Sequence, residues 1–358
     1  MLSGVFYEWE KSMNERKKEW DMIRIIACFC VVVIHVAGYG MEIKDPHTTD
    51  WMIRNLVVSM VRCAVPIFFM LSGILFMEKK LSIFELYRKY AARTVIAWIS
   101  WSFLYALIDC VAYKKTHEIT GEYFWTHFLG GHYHLWFLPA ILTAYLFLPV
   151  LQKMIKYLEI KDLLYIGILI LTGIICRETL QPLINSVILD TALKNFPLAE
   201  IPVGILYFIL GYYLHHYIDC FSGKKCFVIY LGTCILAAVV NALYSLAYKQ
   251  NMSVTSGYLS IWVVISSAAV FVALEKGLKI KKRKILNEAI LRSISECTFG
   301  IYLIHTLFIE QVYRRIGLTQ EKFPVIVTII LFSAMTFLIS YVIIWCLKKI
   351  PFIGKWMV

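Results

Sequence analysis

Residues 21–40 read DMIRIIACFCVVVIHVAGYG. From Met22 to Ala37 the run is apolar apart from two ionisable side chains, Arg24 and His35. About 20 such residues cross a hydrocarbon core of roughly 30 Å as a helix. A charged side chain inside a span costs roughly 2.5–3.5 kcal/mol on insertion scales, so it needs a functional or structural reason. Arg24 and His35 are eleven residues apart. At about 100° per residue they return to within about 20° of one helix face, separated by about 16 Å along the axis. One stripe of this helix therefore carries a guanidinium near one membrane surface and an imidazole about three turns away.

Runs of this kind recur along the chain. We read ten spans, at residues 22–41, 53–77, 90–113, 134–151, 163–176, 201–217, 226–248, 257–274, 295–311 and 324–347. Of the 358 residues only 17% are charged and 60% are apolar, against about 25% charged in an ordinary soluble protein. The expected fold is an all-α polytopic integral membrane protein of about ten transmembrane helices. Residues 1–21 form an N-terminal segment, 22–347 the membrane domain and 348–358 a C-terminal tail. No small-residue cleavage site follows the first span, so a removed signal peptide is not expected. The net charge of +12 is first an orientation signal, because basic loops stay cytoplasmic. With the N-terminus inside, inner segments hold 24 Lys and Arg and outer ones 10, so both termini are expected in the cytoplasm. The partner surface is the lipid bilayer, and nothing calls for nucleic acid. The ten cysteines lack paired CxxC spacing and read as small apolar residues.

Beyond Arg24 and His35, several residues are chemical candidates. The second span contains Pro66 and the Ser72–Gly73 pair, expected to loosen its inner half and free polar groups there, although small residues in spans ordinarily serve close packing. The third opens with Arg88, Lys89 and Arg93. Ordinary anchoring explains each singly, but Lys89 and Arg93 share a helix face and with Arg24 would form a cationic pocket suited to phosphates. His132, His134 and Trp136 lie at the outer end of the fourth span, with no acidic or Cys partner nearby in sequence to make a metal site. His305 sits well inside the ninth. His215 and His216 are expected at an interface, and the KIKKRK run at 279–284 is expected to anchor topology.

Taken in order, DMIRIIACFCVVVIH, VPIFFMLSG, RKYAAR, HLWFLPAILTAYLFLP, ILYFILGYYL and FGIYLIHTLF resemble the membrane-bound acyltransferase-3 family, from about residue 20 to 355. The resemblance implies transfer of an acyl group, usually acetyl, from cytoplasmic acetyl-CoA to hydroxyls of extracytoplasmic carbohydrate or glycolipid. It implies residence in the inner or plasma membrane of a bacterial cell, with a role in polysaccharide modification. His35 matches the family's essential first-span histidine, Arg24 the arginine before it, and Arg93 a basic residue at the start of the third span. The sequence departs from the family there, with Ile96 where a proline is common. The chain resembles the stand-alone branch without an esterase-like C-terminal domain. On this footing His35 is expected to be base or acyl acceptor, Arg24, Arg88, Lys89 and Arg93 to hold the donor phosphates, and Ser72 to bond near the thioester. His134, Trp136 and His305 would contact the acceptor. No metal is implied. The competing class is a transporter or exporter domain, for which ten spans and a mid-membrane histidine are also suitable, and a third is a structural subunit of a glycan-assembly complex.

Overall fold

The computed structural model describes residues 17–113, 120–183, 202–251, 253–280, 287–313 and 323–358. Every regular element among them is helical. The charged segment up to residue 16 and residues 281–284 of the basic run lie outside the described residues.

The helices are α1 (Lys18–Gly38), α2 (Thr49–Val61), α3 (Ala64–Phe76), α4 (Ala92–Tyr113), α5 (Gly121–Gly130), α6 (Phe137–Tyr157), α7 (Ile160–Gly173), α8 (Val203–His216), α9 (Gly223–Ala247), α10 (Ile261–Ile280), α11 (Glu288–Leu307), α12 (Val325–Leu347) and a short α13 (Pro351–Trp356). Eight stretches are long and apolar enough to cross a membrane. Two other expected spans are also helical. One is α8, whose 14 residues rise only about 21 Å, and the other is α11, which carries Arg292 and Glu296. Outward faces are apolar, as lipid requires: Ile99, Phe103, Leu107 and Val111 form an exposed stripe on α4. Inward faces of α12 carry buried Thr328, Ser333, Thr336 and Ser340, small residues that let helices approach closely.

Contacts fix the direction of each helix. On α1, α4 and α11 the chain runs from an end marked by Arg24, Arg93 and Ser295 to an end marked by His35, Tyr105 and His305. α6 runs the other way, from His134 to Gln152, whose amide donates to the Phe76 carbonyl. The second span also runs back, from Arg62 to Glu78, which accepts from the Tyr212 hydroxyl on α8 at 2.6 Å. Lys18 pairs with Glu288, and Arg93 donates to the Val358 main-chain oxygen. Both described chain ends therefore lie at the Arg24 end.

The second span departs from expectation in one respect. Its interruption lies at Arg62–Cys63, between α2 and α3, and not at Ser72–Gly73. Pro66 falls in the first turn of α3, where its missing N–H breaks no internal bond. Gly73 and Gly211 close the α3–α8 interface. A Cβ on Gly73 would lie 2.1 Å from the Phe208 carbonyl oxygen, and one on Gly211 2.3 Å from Met70 Cα. The small residues thus serve packing, and they allow the short α8 to sit inside the bundle.

α1 packs against α2, α3, α10, α11 and α12, which is why eleven of its residues are buried. At its C-terminus the buried Arg54 donates to the carbonyls of Val36 and Ala37, a cation satisfying orphan helix carbonyls. The free cysteines are mostly buried among apolar neighbours, with Cys220 and Cys346 exposed.

Candidate active site

The stripe expected on α1 exists, and it faces α11. Arg24 Nη1 meets Ser295 Oγ at 3.4 Å, Cys28 Sγ lies 3.5 Å from the Thr298 carbonyl, and the His35 ring lies 4.9 Å from that of His305. Two helices running side by side thus carry the same pair of levels, about 16 Å apart.

At the His35 level three spans converge. The 3₁₀ turn Tyr133–Trp136, which leads into α6, brings His134 within 6.4 Å of His35 and 5.4 Å of His305, centroid to centroid. The Tyr133 hydroxyl stands 3.4 Å from His35 Nδ1. Tyr105 of α4 stacks on His132 at 4.4 Å and shares a 2.8 Å hydrogen bond with Thr306. His134 and His305 are almost fully buried, at 1% and 0% exposure, whereas His35 is half-buried.

The hydrogen bonds assign tautomers, because the partner of one ring nitrogen fixes the state of the other. His305 Nδ1 faces the Tyr302 carbonyl at 2.6 Å. It must donate, which leaves Nε2 as a bare lone pair, and Nε2 is buried without a partner. His134 Nε2 faces the Leu303 carbonyl at 3.4 Å and so carries hydrogen, leaving its Nδ1 to accept. His132 Nδ1, 2.7 Å away, is then the donor. Its Nε2 meets Glu310 Oε2 at 3.2 Å, so a hydrogen bond joins imidazole and carboxylate. The result is a hydrogen-bonded chain from Glu310 through His132 to His134 beside a further histidine, His305, whose Nε2 has no partner. Tyr302 supports it from below by donating to the His134 main-chain oxygen.

At the other level the arrangement of side chains differs from expectation in detail. Arg24 has a carboxylate neighbour, Asp21, at 3.7 Å, itself bonded by Ser295 at 2.6 Å. Arg93 turns inward, over Phe299 and onto Val358 at 2.6 Å, and its Nε is buried without a partner. Tyr145 lies within electrostatic reach of both Arg24 and Arg93. Lys79 joins this level by donating to the Tyr90 hydroxyl at 2.9 Å. Arg88 and Lys89 are exposed, over the rings of Phe84 and Tyr90 respectively. They lie in a π-helical turn, Tyr87–Ala91, so the α-helical face shared by Lys89 and Arg93 in the sequence reading is not the geometry of the chain. Ser72 donates to the Phe68 carbonyl at 2.9 Å, using its hydroxyl within its own helix. Trp136 stacks on Tyr258 at 4.8 Å, one residue layer from the histidines. Among the described residues no three His, Cys, Asp or Glu side chains are arranged to hold a metal ion.

Tyr133, Tyr105 and Glu310 were not among the sequence candidates for the chemistry, and His132 was considered only as part of an HxH metal pair. Glu310 was detectable as an acid inside the 295–311 span. Its relation to His132 was not, since the two lie 178 residues apart and Glu310 falls in a π-helical turn, Phe308–Val312, where the α-helical repeat no longer says which way a side chain faces. His215 is buried and hydrogen-bonded to the fully buried Glu275, a structural contact within the bundle.

A bundle of apolar helices with a buried histidine cluster at one level and arginines at another defines a multi-pass membrane protein with a candidate chemical site. The chain belongs to the acyltransferase-3 family: the family model described as an acyltransferase domain matches residues 17–345, and the protein is a membrane acyltransferase. No curated protein and no solved structure matches the chain.

Proposed function

We propose that this acyltransferase moves an acetyl group from acetyl-CoA to a hydroxyl of a carbohydrate or glycolipid, across the inner or plasma membrane of a bacterial cell. The positive-inside excess puts the Arg24 end in the cytoplasm. There Arg93 and Arg24, with Lys79, would hold the donor phosphates, Arg93 exchanging its bond to Val358 for the ligand. Planar guanidinium donors suit phosphate oxygens. Arg88 and Lys89, exposed to the surface, add a general positive field.

The pantetheine arm would then extend along α1, α4 and α11 towards His35. At that level the acceptor oxygen attacks the thioester carbonyl carbon and the carbon–sulfur bond breaks. The hydroxyl proton goes to imidazole and is returned to the departing thiolate. His35 acts either as the base on the acceptor, holding that proton until it passes to the thiolate, or as a transient acyl acceptor. In the second case its nitrogen attacks the thioester, His305 Nε2 takes the imidazole proton and passes it to the thiolate, and the acceptor oxygen then attacks the acyl-imidazole while its own proton restores the His35 N–H. This is nucleophile, base and orienting group in sequence, the last being the Tyr302 carbonyl. His134 and Trp136 contact the acceptor, and Glu310 with His132 holds His134 in one tautomer.

One observation carries the reading. Three parallel helices each bring a residue to the arginine level and another to the histidine level, so a donor bound at one is in line with the base at the other. The test is release of CoA from acetyl-CoA by the purified protein in nanodiscs, with an envelope glycolipid extract as acceptor. Turnover that disappears in His35→Gln supports it. Uptake of solute into proteoliposomes with no thioester consumed would instead favour a transporter.

A further inference from the structure

Arg93 is assigned above to the donor phosphates, yet the chain itself already engages it. Its Nη2 donates to the Val358 main-chain oxygen at 2.6 Å. About two turns further along α4, the Trp101 indole N–H donates to the Met357 carbonyl at 2.8 Å. Two side chains of one helix thus hold two consecutive main-chain oxygens of the segment 351–358. Val358 is 1% exposed and packs into the main apolar core. Trp101 stands one turn before Tyr105, with its ring 6.2 Å away. The segment therefore meets α4 from the arginine level towards the histidine level, along the direction a bound donor would take.

The same segment is lightly held. α13 has six residues, none of them buried, which is short for a helix that must stand without packing. The chain reverses after α12, and Gly354 seats α13 there, because a Cβ on Gly354 would lie 2.3 Å from the Lys348 carbonyl oxygen. The anchors are two hydrogen bonds, one buried valine and this close seat, and segments with few buried contacts open at low free energy. The bond to Val358 also leaves the Arg93 Nε buried without a partner. A phosphate answers a guanidinium with paired, charged hydrogen bonds and so competes well with that single bond.

We propose that residues 351–358 are an autoinhibitory strap: they occupy the Arg93 site in the resting protein, and the CoA donor binds by displacing them. This rests on the reading of the arginine level as the donor site, and it requires no acyl transfer to have occurred. Apparent donor affinity is then the intrinsic affinity reduced by the fraction of molecules in which the strap has lifted. A change that loosens the strap without touching a donor ligand should tighten donor binding. Trp101 and Gly354 are such positions, since neither is assigned to the donor, whereas Arg93 serves both partners.

The experiment titrates CoA, without an acyl group, against full-length protein in nanodiscs. Amide exchange of residues 351–358 is followed by mass spectrometry on the same samples. Trp101→Phe deletes one hydrogen bond of the strap and keeps an aromatic ring, so CoA should bind about two- to twelvefold more tightly. Gly354→Ala should tighten binding by as much or more, acting from the α12 side of the strap. In the wild type, saturating CoA should speed exchange across 351–358. A segment that only braces the fold gives a different pattern, in which both variants melt lower and bind CoA no better than the wild type. That pattern overturns the proposal. So does wild-type exchange at 351–358 that stays unchanged or slows when CoA saturates the protein, whatever the folding of the variants. CoA binding with an unmoved strap leaves the donor site standing and removes the strap alone. CoA binding by none of the three proteins overturns the donor reading and the strap with it.

Discussion

His305 offers the sharpest separation between a structural and a chemical histidine. Its Nδ1 donates to the Tyr302 carbonyl at 2.6 Å and its Nε2 is a buried, unpartnered acceptor. Asparagine places an amide nitrogen where Nδ1 stands and nothing where Nε2 stands, so His305→Asn keeps the bond to Tyr302 and deletes the lone pair. The fold loses the transfer energy of a few atoms and gains a small void, together about 1 kcal/mol. Glutamine reaches the Nε2 position but abandons the bond to Tyr302, worth about 0.5–1.5 kcal/mol. General-base action contributes about 10²–10⁴ in rate, or about 2.7–5.5 kcal/mol of barrier at 1.36 kcal/mol per tenfold. His305→Asn should therefore lower kcat for acetyl transfer by about 10²–10⁴ while its thermal unfolding in detergent shifts little. KM for acetyl-CoA should stay near wild type, because the lost interaction is made only in the transition state. The assay is CoA release with radiolabelled acetyl-CoA, paired with a melting curve on the same preparation. An Asn variant that unfolds like wild type and turns over within about threefold of it would remove His305 from the chemistry.

Three further outcomes follow from the same geometry. Glu310→Gln removes the carboxylate bonded to His132 and should slow transfer by about 10- to 150-fold, the rate equivalent of a hydrogen bond to a charged group of about 1.5–3 kcal/mol, with kcat as the readout. Arg93→Gln should raise KM for acetyl-CoA with little change in kcat, whereas Arg88→Gln should leave both within about twofold, as steady-state kinetics on the two variants will show. Gly211→Ala places a Cβ 2.3 Å from Met70 Cα and should cost several kcal/mol of stability, beyond the about 1–3 kcal/mol of ordinary overpacking. Gly232→Ala, with nothing within 4 Å, should raise the unfolding temperature or leave it unchanged.

What the sequence made legible was whatever follows from helical periodicity and lipid solvation. The Arg24–His35 stripe is one consequence of 100° per residue, and the contacts of both residues with α11 follow it. The outward apolar faces are another, because lipid leaves an exposed stripe such as that on α4 without cost. Where the backbone leaves the α-helical repeat, the reading failed. The π-helical turn at Tyr87–Ala91 undoes the expected shared face of Lys89 and Arg93, and the one at Phe308–Val312 hides the link between Glu310 and the histidines. Ser72 and Gly73 were ambiguous from sequence, since small residues loosen a helix or tighten an interface. The nearness of the Phe208 main chain decides for the interface. His132 and His134 lacked an acidic partner within sequence reach because that partner, Glu310, comes from α11's extension, 178 residues away.

The central claim is that His35 stands where the acyl group changes hands. The direct measurement is transfer of radiolabelled acetyl from acetyl-CoA to envelope glycolipid by purified full-length protein, wild type against His35→Gln, with folding monitored by thermal unfolding. The account predicts labelled glycolipid from the wild type and a loss of about 10²-fold or more in the variant, without a comparable loss of fold. A folded His35→Gln protein that labels the acceptor at the wild-type rate would contradict it.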